Sequence, residues 1–514
     1  VQPVKNIVIV GGGTAGWMTA SVVAARFKGR IAAGSFSVTL VESPDVKIVG
    51  VGEATWPSMR TTLQRIGVSE TEFFRQCDAS FKQSAKFVRW VTGKDDDAYY
   101  HPLMLPHGFA KVNLVPHWIL DKNGMSYSGA VTPQEMLCES GLAPKLITTP
   151  EYEAISNYAY HFDTGKLGPF LRNHCVETLG VQHVLANVTS VNQAENGDIT
   201  SLVTREAGDI EGDLFVDCTG FKSLLIGQTL GVGFKDCNDV LYCDAALAVN
   251  VPYDTPDAPI SSHTIKTAQS AGWIWDIGLA TRRGVGHTYS SRHISDDQAE
   301  DELRRYIGPA RQDLKIHKIP IRPGYRETVW KNNCVAIGLA AGFFEPLESS
   351  SIVLIELSAR LLSEKMPACR EIMDIVAAQF NEVTHYRYDR ILDFLKLHYI
   401  LTKRTDTQFW RDIVDPDTVP DRLKNMLELW QYQSPWCFDE FDRLEEVFPA
   451  ASYQYVLYGM GFPTKVNPDD LISSRRDAKL HLSESISYTQ KLHQRLPTNR
   501  DLLNRIRDYG MQTV

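Results

Sequence analysis

The apolar and polar positions divide the chain into three regimes. At the N-terminus, residues 5 to 10 of KNIVIVGGG read as a parallel strand buried on both faces. Val22, Val23 and Ala24 continue a helical segment behind it, and a second strand, FSVTLVE, ends in Glu42. Two more buried strands lie far downstream, Leu214 to Val216 before Asp217 and Val335 to Ile337 before Gly338. Residues 236–324 read as strand-rich. From about residue 361 the spacing turns helical, in SARLLSEKM, EIMDIVAAQFNEVTHYRYDRILDFLKLHY and RLKNMLELWQYQ. No repeat or low-complexity tract interrupts this order.

The first strand and helix are joined by Gly11, Gly13 and Gly16, a G-x-G-x-x-G. Alone the motif is weak. Here strand, glycines, helix, strand and acid follow in the order that a dinucleotide site needs. The glycines permit a tight turn, close approach to a pyrophosphate and close helix–strand packing. Glu42, somewhat further downstream than usual, suits a ribose hydroxyl pair. The elements ending at Asp217 and Gly338 imply one cofactor crossed by several chain segments. That layout is similar to the FAD-dependent aromatic monooxygenases, although Leu339 stands where those enzymes have aspartate after the glycine. The expected fold is therefore α/β, with a Rossmann-like FAD-binding module of residues 1–110, 150–235 and 325–360. An interleaved substrate module takes 111–149, 236–324 and 361–514.

Composition narrows the partners. The chain has 514 residues with a net charge of -9 and no basic stripe, which argues against nucleic acid. Nine cysteines occur singly with no C-x-x-C pair, which predicts reduced thiols in a cytoplasmic protein and no zinc or other metal site. No signal-peptide layout or membrane-length apolar run is present.

GWIWDIGL places Trp273, Trp275 and Ile277 in W-x-W-x-I spacing. Alternating tryptophans on a strand are more often a packed sheet face than chemistry. In combination with VGVGEATWPS, FKQSAKFVRW, YYHPL, YAYHFDTGKLGPFLR, DCTGF, GFFEPLESSSI, HYILTKRTDTQFWR and YQYVLYGMGF, the chain resembles the flavin-dependent halogenases of the tryptophan (indole) branch. Gly278 replaces the proline that usually closes their tryptophan motif.

The resemblance implies roles. Residues 50 to 57, with Gly50, Gly52, Glu53 and Ala54, look like the strap that links flavin to substrate. Lys82 matches the family's essential lysine, with Lys86 one helical turn on as the alternative, and Glu348 matches its second catalytic residue. Backbone N–H groups of Ser350 and Ser351 match the halide site. His101 and Leu103 would face the indole ring with Trp273 and Trp275 nearby. Leu103 replaces the family's aromatic residue, a loss of about 1 kcal/mol of stacking. From spacing alone Lys82 reads as a solvated helix lysine and Glu348 as a helix-start acid. The serines likewise read as ordinary caps, although a helix N-terminus can also hold an anion.

The implied activity is chlorination or bromination of an indole-type ring. FADH2, O2 and a halide ion would generate hypohalous acid, delivered to Lys82. No nicotinamide domain is visible, so a partner flavin reductase is expected to supply FADH2. The alternatives are a single-component FAD-dependent aromatic monooxygenase and a flavin-binding protein without catalysis. Candidates to hold an amino-acid backbone are Glu445, Glu446, Tyr453 and Tyr455, with no basis for choosing. Relatives are often homodimers, and the sequence leaves the oligomeric state open.

Overall fold

A computed structural model describes residues 1–46, 50–311, 313–436 and 446–513. Its first sheet explains the continuous apolar runs. Six strands lie in the order Trp330–Lys331, Cys334–Ala336, Leu214–Asp217, Asn6–Val10, Ser37–Glu42 and Gln182–Leu185. All neighbours pair in parallel except the Trp330–Lys331 edge. Ile7, Ile9, Leu214, Phe215 and Val335 are wholly buried, as strands covered on both faces require. The helix Thr14–Ala32 packs on this sheet and against the helix Ser350–Glu364.

Gly11 marks where the first strand turns into the helix. Its φ is +118°, and an added Cβ would stand 2.2 Å from the carbonyl oxygen of Cys218. Only glycine permits both the backbone angle and the approach.

A second, seven-stranded sheet runs His317–Pro320, Ala245–Pro252, Arg282–Tyr289, Gly272–Gly278, His263–Ala268, Ser84–Val88 and Ala98–Pro102. The strand-rich reading of 236–324 corresponds to its greater part. The boundary at residue 110 does not follow the sheets, however. Ser84–Val88 pairs in parallel with His263–Thr267 and carries Ala98–Pro102 outside it. Residues 84–102 thus complete the second sheet rather than the glycine-turn unit, because their backbone partners lie there.

A small antiparallel sheet connects the two. Ala159–Asp163 is its central strand, flanked by Gly52–Ala54 and Ser80–Lys82. The helical spacing of Lys82 and Lys86 is corrected here, since both lie on strands. Lys86 pairs with Glu139 and lies over the Tyr100 ring, and Lys82 points into the interior.

Helices dominate from Ser350, earlier than the pattern implies, with Met373–Ile400, Ala450–Gly459, Arg475–Arg495 and Asn499–Tyr509 the principal ones after it. Among the described residues, no helix is long and apolar enough to cross a membrane.

Candidate active site

Two cavities are lined by adjoining parts of the segments 51–57 and 348–352. The larger, about 350 Å³, is bounded by the glycine turn at Gly13, Thr14 and Ala15, by Val51 to Ala54, and by Trp273, Trp275 and Ile277. Ser349, Ser351 and Ile352 close its far wall. The smaller, about 150 Å³, is lined by Trp56, Pro57, Lys82, His101, Leu103 and Glu348, with Phe448 and Tyr455 opposite. Residues 50–57 therefore pass from one cavity to the other. The structure places Trp273 and Trp275 at the larger cavity, away from His101 and Leu103. Their strand packs against the strap, where a Cβ at Gly52 would meet Ile277, and Gly286 opposite Trp275 leaves room for its ring, 2.1 Å from where a Cβ would stand.

The larger cavity fits a flavin dinucleotide. A Cβ at Gly13 would meet no protein atom within 4 Å, so the glycine leaves open space where a phosphate could approach. No side chain caps the helix Thr14–Ala32, and its first turn has no acid, which leaves N–H groups and a positive helix end for a pyrophosphate. Glu42 lies against Gly12, where a Cβ would be 2.1 Å from its carboxyl carbon, and its Oε2 is 2.9 Å from His183 Nε2.

Of the residues expected at the cofactor, Gly11, Gly16, Glu42, Gly50, Asp217 and Gly338 are not in the cavity lining. Asp217 is fully buried, and its carboxylate accepts from the N–H groups of Thr219, Leu225 and Ile226 and from the Thr219 hydroxyl. It shapes the loop after its strand. Gly338, at φ +73°, sits against Ala15, and Leu339 lines the cavity instead. Glu53 does face it. Burial raises its carboxyl to about 7, against the lowering effects of the Ala54 N–H and the Lys82 charge.

Lys82 is 3% exposed, and its Nζ donates to the Thr55 carbonyl at 3.1 Å and to Ser349 Oγ at 3.1 Å. Burial lowers its amine to about 7, helped by the charge of Lys266 and opposed by Glu348 and Glu53. Ser349 thus touches Lys82 and the larger cavity together.

Glu348 ends the short turn Pro346–Glu348 and does not begin a helix. Its Oε2 accepts from His101 Nδ1 at 3.0 Å, and His101 Nε2 lies 2.9 Å from Ser452 Oγ. His398 Nε2 stands 3.0 Å from Oε1, off the hydrogen-bond line, and Lys266 Nζ is 3.8 Å from the same oxygen. Burial opposes ionisation of Glu348, but these cationic and hydrogen-bonding neighbours, Lys266 foremost, hold its carboxyl well below the usual range. Trp56 Nε1 donates to its carbonyl at 2.7 Å and fixes the turn to the strap.

The serines resolve into separate places. Ser349 takes a left-handed conformation at φ +55° and ψ 38°, and no side chain caps the helix that begins at Ser350. Ser351 Oγ is buried without a hydrogen-bond partner and borders the larger cavity. An uncapped helix start beside an unpartnered buried hydroxyl can accept a small anion.

Spacing gave no hint of Thr55, Lys266, Ser349, His398 or Ser452. A charged residue in the strand HTIKTA was the one available signal for Lys266. Among the candidates for an amino-acid backbone, Tyr455 lines the smaller cavity, while buried Tyr453 and Glu446 do not, and Glu445 lies outside the described residues.

Known proteins share this fold. The family model for tryptophan halogenase matches residues 6–473. The chain is 36% identical over 477 residues to tryptophan 6-halogenase SttH of Streptomyces toxytricini, covering 89% of each. A tryptophan halogenase crystal structure from Shewanella frigidimarina superposes with a TM-score of 0.96 at 45% identity, covering 100% of this chain and 99% of that one. BrvH, a flavin-dependent halogenase from Brevundimonas, gives a TM-score of 0.86 at 34% identity, covering 98% and 99%. With its glycine turn, strap and paired cavities in the same fold, the chain belongs to the tryptophan halogenase family of flavin-dependent enzymes.

Proposed function

We propose that the chain halogenates an uncharged indole-type ring held in the smaller cavity, with Lys82 and Glu348 as the reacting side chains and FAD in the larger. The observation that carries this reading is that a buried lysine and a buried carboxylate line one apolar cavity, beside a second cavity that includes the glycine turn. Reduced FAD, when bound, would supply hypohalous acid from O2 and chloride or bromide. The N–H groups of Ser350 and Ser351 would hold the halide. Thr55 and Ser349, which lines the larger cavity, fix Lys82. Its neutral amine can hydrogen-bond hypohalous acid, or exchange N–H for N–halogen with release of water. Ionised Glu348 would face the cation formed on the ring and accept the proton that leaves its carbon.

His101 and Leu103 would bracket the ring. In the described lining of the smaller cavity, Lys82, His101 and Glu348 are the basic and acidic side chains, and the reaction engages all three. An amino-acid zwitterion has no further charged partner in that described wall. Indole is therefore expected to exceed free tryptophan in kcat/KM by about tenfold, the worth of roughly one unsatisfied charge contact. A lower kcat/KM for indole would overturn this substrate assignment.

Two experiments test the rest. Incubation with FAD, a flavin reductase, NADH, oxygen, indole and bromide should give a product with the bromine isotope pattern, dependent on the reductase. A product heavier by one oxygen and lacking halogen would favour a hydroxylase instead. Gly13→Leu should weaken FAD binding by at least about tenfold without lowering the melting temperature, because its side chain would enter cavity and not protein. Unchanged flavin affinity would remove the cofactor from this cavity.

A further inference from the structure

Lys266 lies on His263–Ala268, inside the seven-stranded sheet, and is 0% exposed. The reaction proposed above gives it no task. An ammonium in such a place persists only with partners that replace its water. It donates to the carbonyl of Leu347, stands 3.8 Å from Glu348 Oε1 and lies 4.5 Å from the centre of the Phe87 ring. Strand pairing sets it between Trp275 and Phe87. One side chain thus reaches from the sheet of the tryptophan motif to the turn that aims Glu348.

We infer that Lys266 is a positioning residue for halogenation: it ties the Pro346–Glu348 turn to the seven-stranded sheet and supplies the cation that faces Glu348 Oε1. The inference rests on the reading of Glu348 and Lys82 as the reacting groups. The two oxygens of Glu348 differ. Oε2 is held by His101, whereas Oε1 has no aligned hydrogen-bond donor. His398 is near Oε1 but does not supply the charge. Its Nδ1 is 2.7 Å from Tyr99 Oη, and burial pushes the ring down to about 4, which leaves it neutral near pH 7. Lys266 is the other basic side chain on that side, 3.8 Å from Oε1.

A second consequence follows from placing two lysines around one carboxylate. After burial, the charge of Lys266 is the largest influence lowering Lys82 to about 7. The same cation therefore favours an ionised Glu348 and a neutral Lys82, the two forms that the chemistry needs. Burial also lowers Lys266 itself, while Glu348 and Glu345 push it back up. Among the described residues, the other titratable groups around the cluster are Glu53 and His161 on the small sheet, Tyr99 and His101 on Ala98–Pro102, and His398 at the end of Met373–Ile400.

The test is the pH profile of kcat in Lys266→Gln and Lys266→Met, with saturating FADH2 and indole. Glutamine keeps a donor for the Leu347 carbonyl and removes the charge, whereas methionine removes both. Without the cation Lys82 keeps its proton to higher pH. The rise of kcat with pH should move upward by about one unit, and kcat at pH 6 should fall about tenfold, with KM for indole and FAD affinity within about twofold of wild type. An unchanged profile in Lys266→Gln overturns the inference, and so does a lower kcat with no shift. If Lys266→Met does not fold, Lys266→Gln decides alone. If Lys82→Ala and Glu348→Gln abolish turnover while Lys266→Gln behaves as wild type, only this inference fails. If those two variants stay active, the underlying reading fails instead.

Discussion

Replacing Lys82 by alanine is expected to lower halogenation by at least about a thousandfold while FAD binding persists. The loss is large because the amine occupies a position that water or a neighbouring side chain cannot reproduce. Its Nζ is fixed by Thr55 and by Ser349, which lines the other cavity, and Lys86 points away to Glu139. Reductase-coupled turnover and a flavin fluorescence titration measure the two halves of the expectation. Retained turnover would remove Lys82 from the mechanism. In the wild-type protein the rate should rise with pH and reach half its maximum near 7, because the amine acts unprotonated.

Substitution of Lys82 should move stability and rate in opposite directions. A lysine whose folded value is lowered from 10.5 to about 7 opposes folding at every pH below 7, and that penalty fades as pH rises towards 10.5. The shift corresponds to a penalty on the order of 5 kcal/mol. Lys82→Met removes it but strands the Thr55 carbonyl and the Ser349 hydroxyl, at about 1–3 kcal/mol. The methionine variant should therefore melt above wild type at pH 6, and the order should reverse by pH 10. A lower melting temperature at pH 6 would show that the lysine is not held against its own desolvation.

Glu348→Gln should lower the rate by about a hundredfold or more, because the amide neither takes a proton nor balances a cationic ring. It should also destabilise the protein by about 3–5 kcal/mol near pH 7, since Lys266 loses its carboxylate partner in a dry interior. The carboxyl of Glu348 is depressed when folded, so its contribution is fully present above the ordinary glutamate range and lost as pH falls through and below it. The difference in melting temperature between the variant and wild type should accordingly shrink in acid. Turnover must be read below the melting temperature of the variant, with bound flavin as the check on folding. A folded, flavin-binding Glu348→Gln protein with wild-type turnover would end the catalytic assignment.

Much of the fold was legible along the chain. Ile7 to Val10 and Leu214 to Val216 are apolar at successive positions because they are covered on both faces. Gly11 stands where no Cβ has room. Those constraints act through neighbours in sequence or through uniform burial, so they leave a local record. The stretch from Ser80 to Lys86 misled because two short strands joined at Gln83 put lysines at i and i+4, as a helix also does. Each strand forms only because its partner, Ala159–Asp163 for one and His263–Ala268 for the other, lies far away.

By itself, then, the sequence determined a glycine-turn dinucleotide unit, a helical C-terminal part and, through its motifs, the family. Only the tertiary structure decided the company each reacting group keeps. Lys82 is unremarkable in FKQSAKF until Thr55 and Ser349 surround it, and Glu348 resembles a helix-start acid until His101, Lys266 and His398 converge on it from three separate elements. The physical reason is that the charge state of a buried group depends on desolvation and on charges within a few ångströms. Separation along the chain carries no information about either.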